Sequence, residues 1–159
     1  MTDELKQEFT LRITQANSTE LVVILYEMLD IYLGEGELAH ANGDRPGFRE
    51  AIRKSRAVIN ELLHSLNLNY TPAPELMQLY LFCIKRLAVC EVKNEADCFD
   101  EIRKIIIPLK EAYSQISTEN KGGPVMNNSE AIYSGLTYGK NQMTVDAPSG
   151  ASFNRGYKV

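Results

Sequence analysis

The sequence predicts an all-α protein, an antiparallel up-down-up-down four-helix bundle with an irregular C-terminal tail. Two observations predict it. Four segments repeat apolar residues at intervals of three and four, which is the spacing of one helix face. Short polar stretches rich in Asn, Gly and Pro separate these segments, and short connections make consecutive helices antiparallel. We therefore divide the 159 residues into a lead-in over 1–16, a bundle over 17–116 and a tail over 117–159.

The first predicted helix runs from about Ser18 to about Asn42. Asn17 before it is a typical N-cap, and a glutamate three residues later completes a capping box. Apolar residues stand on more than one side of this helix, so we expect it to be covered on more than one face. Gly34 and Gly36 each weaken a helix by about 1 kcal/mol relative to Ala, and they indicate a bend or a close helix contact. The polar lead-in before Asn17 is expected to be mobile.

Prolines and capping residues delimit the other three predicted helices. The second begins near Pro46, because proline is tolerated in a first helical turn. A loop with Pro72 and Pro74 separates it from the third helix, which ends near Lys93. An Asn-Glu-Ala-Asp stretch then caps the fourth helix. Pro108 stands in its interior, where it should kink the helix or remove one hydrogen bond.

The tail differs in composition from the bundle. Six of the ten glycines fall within residues 117–159, where Asn, Ser and Thr are also frequent. Such a segment cannot bury enough apolar surface to fold alone. We expect it to be held against another surface through scattered apolar side chains, which act as docking points. These are Tyr133, Leu136, Tyr138, Met143, Val145, Phe153 and Tyr157.

Composition and charge exclude several classes of function. The formal net charge is −4, and residues 1–116 alone hold 13 basic and 18 acidic side chains, net −5, so no basic face for nucleic acid is expected. No apolar run is long enough to insert into a membrane. Cys83, Cys90 and Cys98 have no metal-ligand spacing. We expect them to be buried free thiols in a reducing cytoplasm.

Two E-x-x-H motifs raise the question of a metal enzyme. Glu37 precedes His40 and Glu61 precedes His64, and paired E-x-x-H motifs in a helical bundle are the ligand pattern of di-iron proteins. His40 stands close to the turn between the first two helices, whereas His64 follows that turn at a distance. In an antiparallel pair the two would lie roughly 20 Å apart along the axis, at 1.5 Å per residue. The sequence therefore predicts no metal, no cofactor and no catalytic residue.

Two other functions of a helical bundle stay open at this point. A phosphotransfer domain needs one exposed, reactive histidine with basic or small neighbours, and neither His40 nor His64 has a lysine at the expected spacing. A generic helical adaptor needs no such residue. Gly34-Glu-Gly36 lacks the lysine and the strand of a phosphate-binding loop.

Four stretches in matching order carry a family resemblance. They are Gln15–Leu21 and Ile24–Glu27 on the first helix, Ile59–Leu66 on the second and Leu79–Leu87 on the third, the last being the most specific. Through them the chain resembles the flagellar secretion chaperone FliS family, over about residues 9–116.

Smaller features agree with this resemblance or depart from it. Asn94 before the fourth helix and Tyr113 near its end stand where the family has an Asn and a Trp. Ser18 replaces the usual proline. The family's N-terminal tyrosine is absent, and Phe9 stands nearby at a different offset.

The resemblance implies a cytoplasmic export chaperone rather than an enzyme. It would bind the C-terminal segment of flagellin by a helix-in-groove mode, prevent premature polymerisation and support flagellar type III secretion. Its partners would be flagellin and the flagellar export apparatus, and a homodimer stays open. Without flagellin, the tail or the lead-in is expected to occupy the groove. The candidate partner-binding residues are Leu21, Val22, Leu25, Tyr26, Leu29, Leu79, Tyr80, Phe82, Arg86, Leu87 and Tyr113.

Overall fold

The computed structural model describes residues 1–69, 71–119 and 122–126, and this part of the chain is all-helical without a strand. The all-α prediction is thus confirmed, and the four predicted helices begin close to the expected residues. The up-down-up-down topology stays a prediction. The docking points of the tail lie outside the described residues. The helices are α1 (Asp3–Gln15), α2 (Ser18–Ala41), α3 (Arg45–His64), α4 (Ala73–Lys93) and α5 (Asp97–Glu119).

The lead-in that we expected to be mobile is instead the helix α1. Thr2 is its N-cap, and the Thr2 hydroxyl oxygen accepts a hydrogen bond from the Leu5 backbone N–H at 3.4 Å. Asp3 and Glu4 lie in the first turn, where the helix dipole favours negative charge. These local signals are weak, because an isolated helix of 13 residues is marginal in water. Packing against α2 must therefore stabilise α1.

Caps and turns place the long helices as the sequence predicts. The Asn17 side chain accepts hydrogen bonds from the backbone N–H groups of Thr19 and Glu20 at 3.0 and 2.9 Å. The Glu20 carboxylate accepts one from the Asn17 N–H at 2.9 Å, which completes the capping box. Gly43 adopts a positive φ of 69° between α2 and α3, a conformation that glycine adopts without strain.

Each of α2 to α5 packs against two of the others: α2 against α3 and α5, and α4 against α3 and α5. Their buried side chains form one apolar core, which includes the three cysteines as expected, all of them free thiols. Pro108 lies inside α5, which continues through it. Because proline has no N–H, the ladder of α5 lacks one hydrogen bond there.

One close contact fixes the distance between α2 and α5. A Cβ built on Gly36 would lie 2.5 Å from Cζ of the Phe99 ring, so only glycine fits at this point of α2. The expected close helix contact is therefore present at Gly36. Gly34 is different, because a Cβ built on it would lie 3.6 Å from its nearest neighbour, Nη2 of Arg103, which is an ordinary contact distance. Phe99 also packs edge-on against Phe48 of α3, with ring centroids 5.8 Å apart.

Candidate functional site

A second apolar face of α2 is covered by α1, and two of its four residues, Leu21 and Met28, also pack against the main core. We call it the α1-covered face and define it as Leu21, Ile24, Met28 and Ile31, which pack with Phe9 in a separate cluster. Their spacing of three and four residues places them in one row along the helix. At 1.5 Å per residue the row is roughly 15 Å long. The expectation that this helix is covered on more than one face is confirmed.

The helix α1 has few anchors on this face. Phe9 is the one residue of α1 that is fully buried. Arg12 lies over the Phe9 ring at 5.3 Å and forms an ion pair with Glu27 of α2 at 2.7 Å. Because this ion pair is partly exposed, it contributes at most about 1 kcal/mol. α1 is thus held by Phe9 as its one buried side chain, with support from the half-buried Leu5 and Ile13. The Met1 ammonium just before the helix adds to this support, because it forms an ion pair with Glu35 of α2.

Apolar side chains are exposed where α4 meets α5. Leu79 is 37% exposed and Phe82 44% exposed on α4, and Ile116 is 52% exposed on α5. Leu79 and Phe82 share one helix face with Arg86, and Arg86 binds the α5 carboxylate of Glu101 at 2.6 and 2.9 Å. This face of α4 is therefore turned toward α5. We call Leu79, Phe82 and Ile116 the α4–α5 surface.

A cavity of about 270 Å³ opens near these residues, where α2 and α4 begin and α3 ends. Its wall includes Val22, Leu76, Tyr80 and Tyr113, and its rim carries polar side chains such as Ser65. We call it the tyrosine cavity. An apolar wall with a polar rim can accept one apolar side chain of a bound helix.

Below the cavity, Tyr26 and Tyr80 are buried and share a hydrogen bond between their hydroxyls. The Tyr26 ring also lies 6.0 Å from the Tyr113 ring. Burial raises the pKa of Tyr80 to about 12 and raises the pKa of Tyr26 as well. Both hydroxyls are therefore neutral at physiological pH, and the pair is a structural link between α2 and α4.

The structure separates the eleven candidate partner-binding residues into three groups. Leu79 and Phe82 are exposed, and Leu21, Arg86 and Tyr113 are half-buried. A partner can reach this second group only in part, since Arg86 already binds α5 and Leu21 lies under α1. The others are buried, and of these Val22 and Tyr80 also line the tyrosine cavity: Val22, Leu25, Tyr26, Leu29, Tyr80 and Leu87.

The lead-in was one of two segments expected to cover an apolar groove, but its helical structure was not predicted. Leu5, Phe9 and Ile13 recur every four residues, which is a helical spacing, but the segment is short and mostly polar. Ile24 and Met28 share the helical spacing of the other apolar residues on α2, so the spacing alone does not separate this face from the main core. The surplus of apolar residues on α2 was the sequence signal that a second face of this helix is covered. The segment that covers this face, α1, belongs to the same chain.

The two E-x-x-H motifs have structural roles or none. Glu37 binds the guanidinium of Arg103, and His40 Nε2 lies 3.0 Å from the Asn94 backbone oxygen. His64 is exposed at the end of α3. Within residues 1–69, 71–119 and 122–126, no three His, Cys, Asp or Glu side chains are grouped so that they could hold a metal ion. The helices of the same ranges include none that is long and apolar enough to cross a membrane.

A family model described as "Flagellar protein FliS" matches residues 1–121. The chain belongs to the FliS family. This confirms the resemblance that the helix motifs indicated, and the match includes α1 as well as the four long helices. Membership makes the chain a flagellar export chaperone of a family that is not enzymatic. A comparison with curated proteins found no match.

The tyrosine pair of this FliS-family chain gives an asymmetric prediction. Tyr80→Phe is expected to lower the free energy of unfolding by about 1–3 kcal/mol, because it leaves the buried Tyr26 hydroxyl without a partner. Tyr26→Phe should lower the free energy of unfolding by less than Tyr80→Phe does. Tyr80 lines the tyrosine cavity, so the Tyr80 hydroxyl that loses its partner can hydrogen-bond to water there. Urea unfolding measures both. The double variant should cost less than the sum of the single variants, and additive losses would contradict the shared hydrogen bond.

Proposed function

We propose that this chain binds the C-terminal segment of flagellin in the cytoplasm, prevents its premature polymerisation and delivers it to the flagellar type III export apparatus. The observation that carries this proposal is the α1-covered face. It is an apolar row on α2 that α1 covers, and two of its residues, Ile24 and Ile31, lie outside the core of the four long helices. A generic adaptor would also expose apolar surface, but it would not require a cover of this kind.

The client would bind as an amphipathic helix that replaces α1. A row of apolar side chains at helical spacing is the usual receptor for such a helix. The client segment is disordered when free, so binding must offset an ordering cost of roughly 2–5 kcal/mol or more. A large apolar interface is therefore needed. The α4–α5 surface and the tyrosine cavity offer additional apolar area for a client that continues around the bundle.

In the absence of client, α1 protects the chain from aggregation. The α1-covered face would otherwise expose apolar side chains in one row, Ile24 and Ile31 more than Leu21 and Met28, which also pack against the main core. Contiguous apolar patches on monomers favour association. The price of this protection is competition, because the client must displace α1 before it binds. The apparent Kd then equals the intrinsic Kd divided by the fraction of molecules in which α1 is undocked, so a firmly docked α1 weakens binding.

Titration calorimetry with a synthetic peptide from the C-terminal segment of the organism's own flagellin tests the proposal. The full chain should bind this peptide, and Phe9→Ala should tighten binding by about tenfold, which corresponds to about 1.4 kcal/mol, because α1 then docks less firmly. Leu79→Asp with Phe82→Asp should weaken binding by a similar factor, since charges replace exposed apolar contacts.

Leu11→Ala is the matched control for Phe9→Ala. Leu11 also lies on α1 but is 49% exposed, so its replacement should leave the affinity unchanged. Removal of residues 127–159 tests whether the tail, rather than α1, competes with the client. If the tail is the competitor, its removal should tighten peptide binding and Phe9→Ala should not. Absence of binding to the peptide by the full chain and by Phe9→Ala would disprove the proposed function.

A further inference from the structure

The outer face of α3 carries four arginines in one row. Arg45, Arg49, Arg53 and Arg56 fall within an arc of about 80° at roughly 100° per residue, and the row is roughly 16 Å long. Three of them are exposed and Arg56 is half-buried. We call this row the arginine strip. Its positive charge contrasts with the net charge of −4 of the whole chain.

The arginine strip is only partly neutralised within the described residues. Arg53 donates two hydrogen bonds to the Glu50 carboxylate, at 2.7 and 2.6 Å. Arg56 lies 3.7 Å from a carboxylate oxygen of Glu91 on α4. For Arg45 and Arg49, by contrast, no ion pair or side-chain hydrogen bond is found in the described part of the chain. Two guanidinium groups with ten N–H donors between them are thus available to a ligand.

The positions of these arginines do not stabilise α3, the helix that carries them. Arg45, Arg49 and Arg53 follow one another at intervals of four, and like charges at this spacing destabilise a helix by about 0.2–0.5 kcal/mol per pair. The Asp44 carboxylate at the N-cap of α3 accepts a hydrogen bond from the Gly47 N–H at 3.0 Å, so the helix N-terminus already has a negative group. A bound anionic group would relieve the repulsion among the arginines.

We propose that the arginine strip binds an acidic helical segment of another protein, at a surface separate from the one that receives the client. A groove of about 490 Å³ runs along the strip, and Glu50 and Glu91 line it together with the four arginines. Guanidinium groups match carboxylates in a bidentate geometry. Glutamates at intervals of three and four on a partner helix would match the spacing of the strip.

The same groove is poorly suited to nucleic acid or a membrane surface. Glu50 and Glu91 would repel a continuous row of phosphates, and the net negative charge of the chain would oppose a polyanion at longer range. No aromatic side chain lines the groove within the described residues, so bases would find no stacking partner. A mixed pattern of charges favours a protein partner with discrete carboxylates.

The strip also lies on a different element from the proposed client site. The α1-covered face belongs to α2 and the α4–α5 surface to α4 and α5, whereas the arginines belong to α3. Among the described residues, the arginine groove and the tyrosine cavity have no lining residue in common, although α4 contributes to both and Ser65, the C-cap of α3, lines the cavity. A chaperone loaded with client could therefore bind a second, acidic protein at the same time. This inference goes beyond the proposed function, and it does not require that flagellin be the client.

Fluorescence anisotropy with a labelled, alanine-based helical peptide tests the inference. The peptide carries four glutamates at positions i, i+4, i+8 and i+11, and a second peptide carries glutamines instead. The full chain should bind the glutamate peptide at low salt and lose affinity as salt rises toward 0.15 M, roughly physiological ionic strength. Arg45→Glu with Arg49→Glu should weaken binding at least tenfold, and the glutamine peptide should bind as weakly to the unmodified chain.

Lys85→Glu with Lys104→Glu is the matched control, because both lysines are exposed and the change in net charge is the same. This control should keep its affinity for the glutamate peptide, and an equal loss would overturn the proposal. Binding to anionic phospholipid vesicles is measured as well. If the unmodified chain binds these vesicles and the arginine variant does not, while the glutamate peptide fails to bind the unmodified chain, the proposal is also overturned. The flagellin peptide should bind the arginine variant as it binds the unmodified chain, whereas a loss there would place the strip within the client site.

Discussion

Phe99→Ala is expected to lower the free energy of unfolding by about 3–5 kcal/mol. The Phe99 ring is fully buried between α2 and α3, with its edge on Phe48 and its tip against Gly36. Alanine would leave a cavity at the point where three helices meet. Urea unfolding of the purified chain measures the loss, and a decrease below about 1 kcal/mol would contradict the tight contact.

Gly36→Ala tests the same contact from the other side. Alanine usually favours a helix by about 1 kcal/mol over glycine, but here its Cβ would overlap the Phe99 ring, and overpacking costs about 1–3 kcal/mol. Gly34→Ala, two residues earlier on the same helix, has ordinary space and should be neutral or stabilising. In a Phe99→Leu background the cost of Gly36→Ala should largely disappear. Equal effects of both glycine substitutions in the unmodified chain would show that the ring can move aside.

The contact between Gly36 and Phe99 shows how far sequence reasoning reaches. Two glycines in an apolar helix indicate a bend or a close approach, and the sequence cannot tell which of the two glycines makes the contact. That depends on the rotation of α5 about its axis. Capping residues, in contrast, predict the starts of α2 and α3 well, because capping is a local signal. Asn17 with Glu20 is the clearest case. The stretch expected to cap the last helix behaves differently, since Asn94 is the C-cap of α4, with a φ of 57°, and α5 begins at Asp97.

The candidate site was harder to predict because exposure depends on which helix covers which face. Tyr26, Tyr80 and Leu87 have the residue types of an interface, yet the four-helix packing buries them. Phe82, on the same helix as Tyr80, is exposed because it lies on a different side of α4. The spacing of α4 residues indicates its buried side, but residue type alone does not separate a core tyrosine from an interface tyrosine. The helix α1 escaped prediction for a related reason, since it depends on α2 for its stability.

The burial that defines this core also makes the fold sensitive to alkaline pH. Burial raises the pKa of the Cys83 thiol to about 11 and also raises the pKa values of Cys90 and Cys98. In the unfolded chain these thiols lose their protons near pH 8.5. Above that pH the unfolded state binds fewer protons than the folded state, so the free energy of unfolding falls as pH rises. Each thiol contributes a slope of about 1.4 kcal/mol per pH unit until its own folded-state pKa is reached.

We therefore expect stability to be constant from about pH 7 to 8 and, with a reductant present, to fall by up to about 4 kcal/mol per pH unit between about pH 9 and 10. Above about pH 10 the buried and half-buried tyrosines, whose pKa values are also raised, add to this slope. Urea unfolding at intervals of pH measures this slope. Cys98→Ala removes one buried thiol and should make the slope shallower by about 1.4 kcal/mol per pH unit, even though the variant starts from a lower stability. Added salt should leave the slope of the unmodified chain almost unchanged, because the titrating groups are buried. A slope that salt abolishes would instead assign the alkaline loss to surface ion pairs such as that between Arg12 and Glu27.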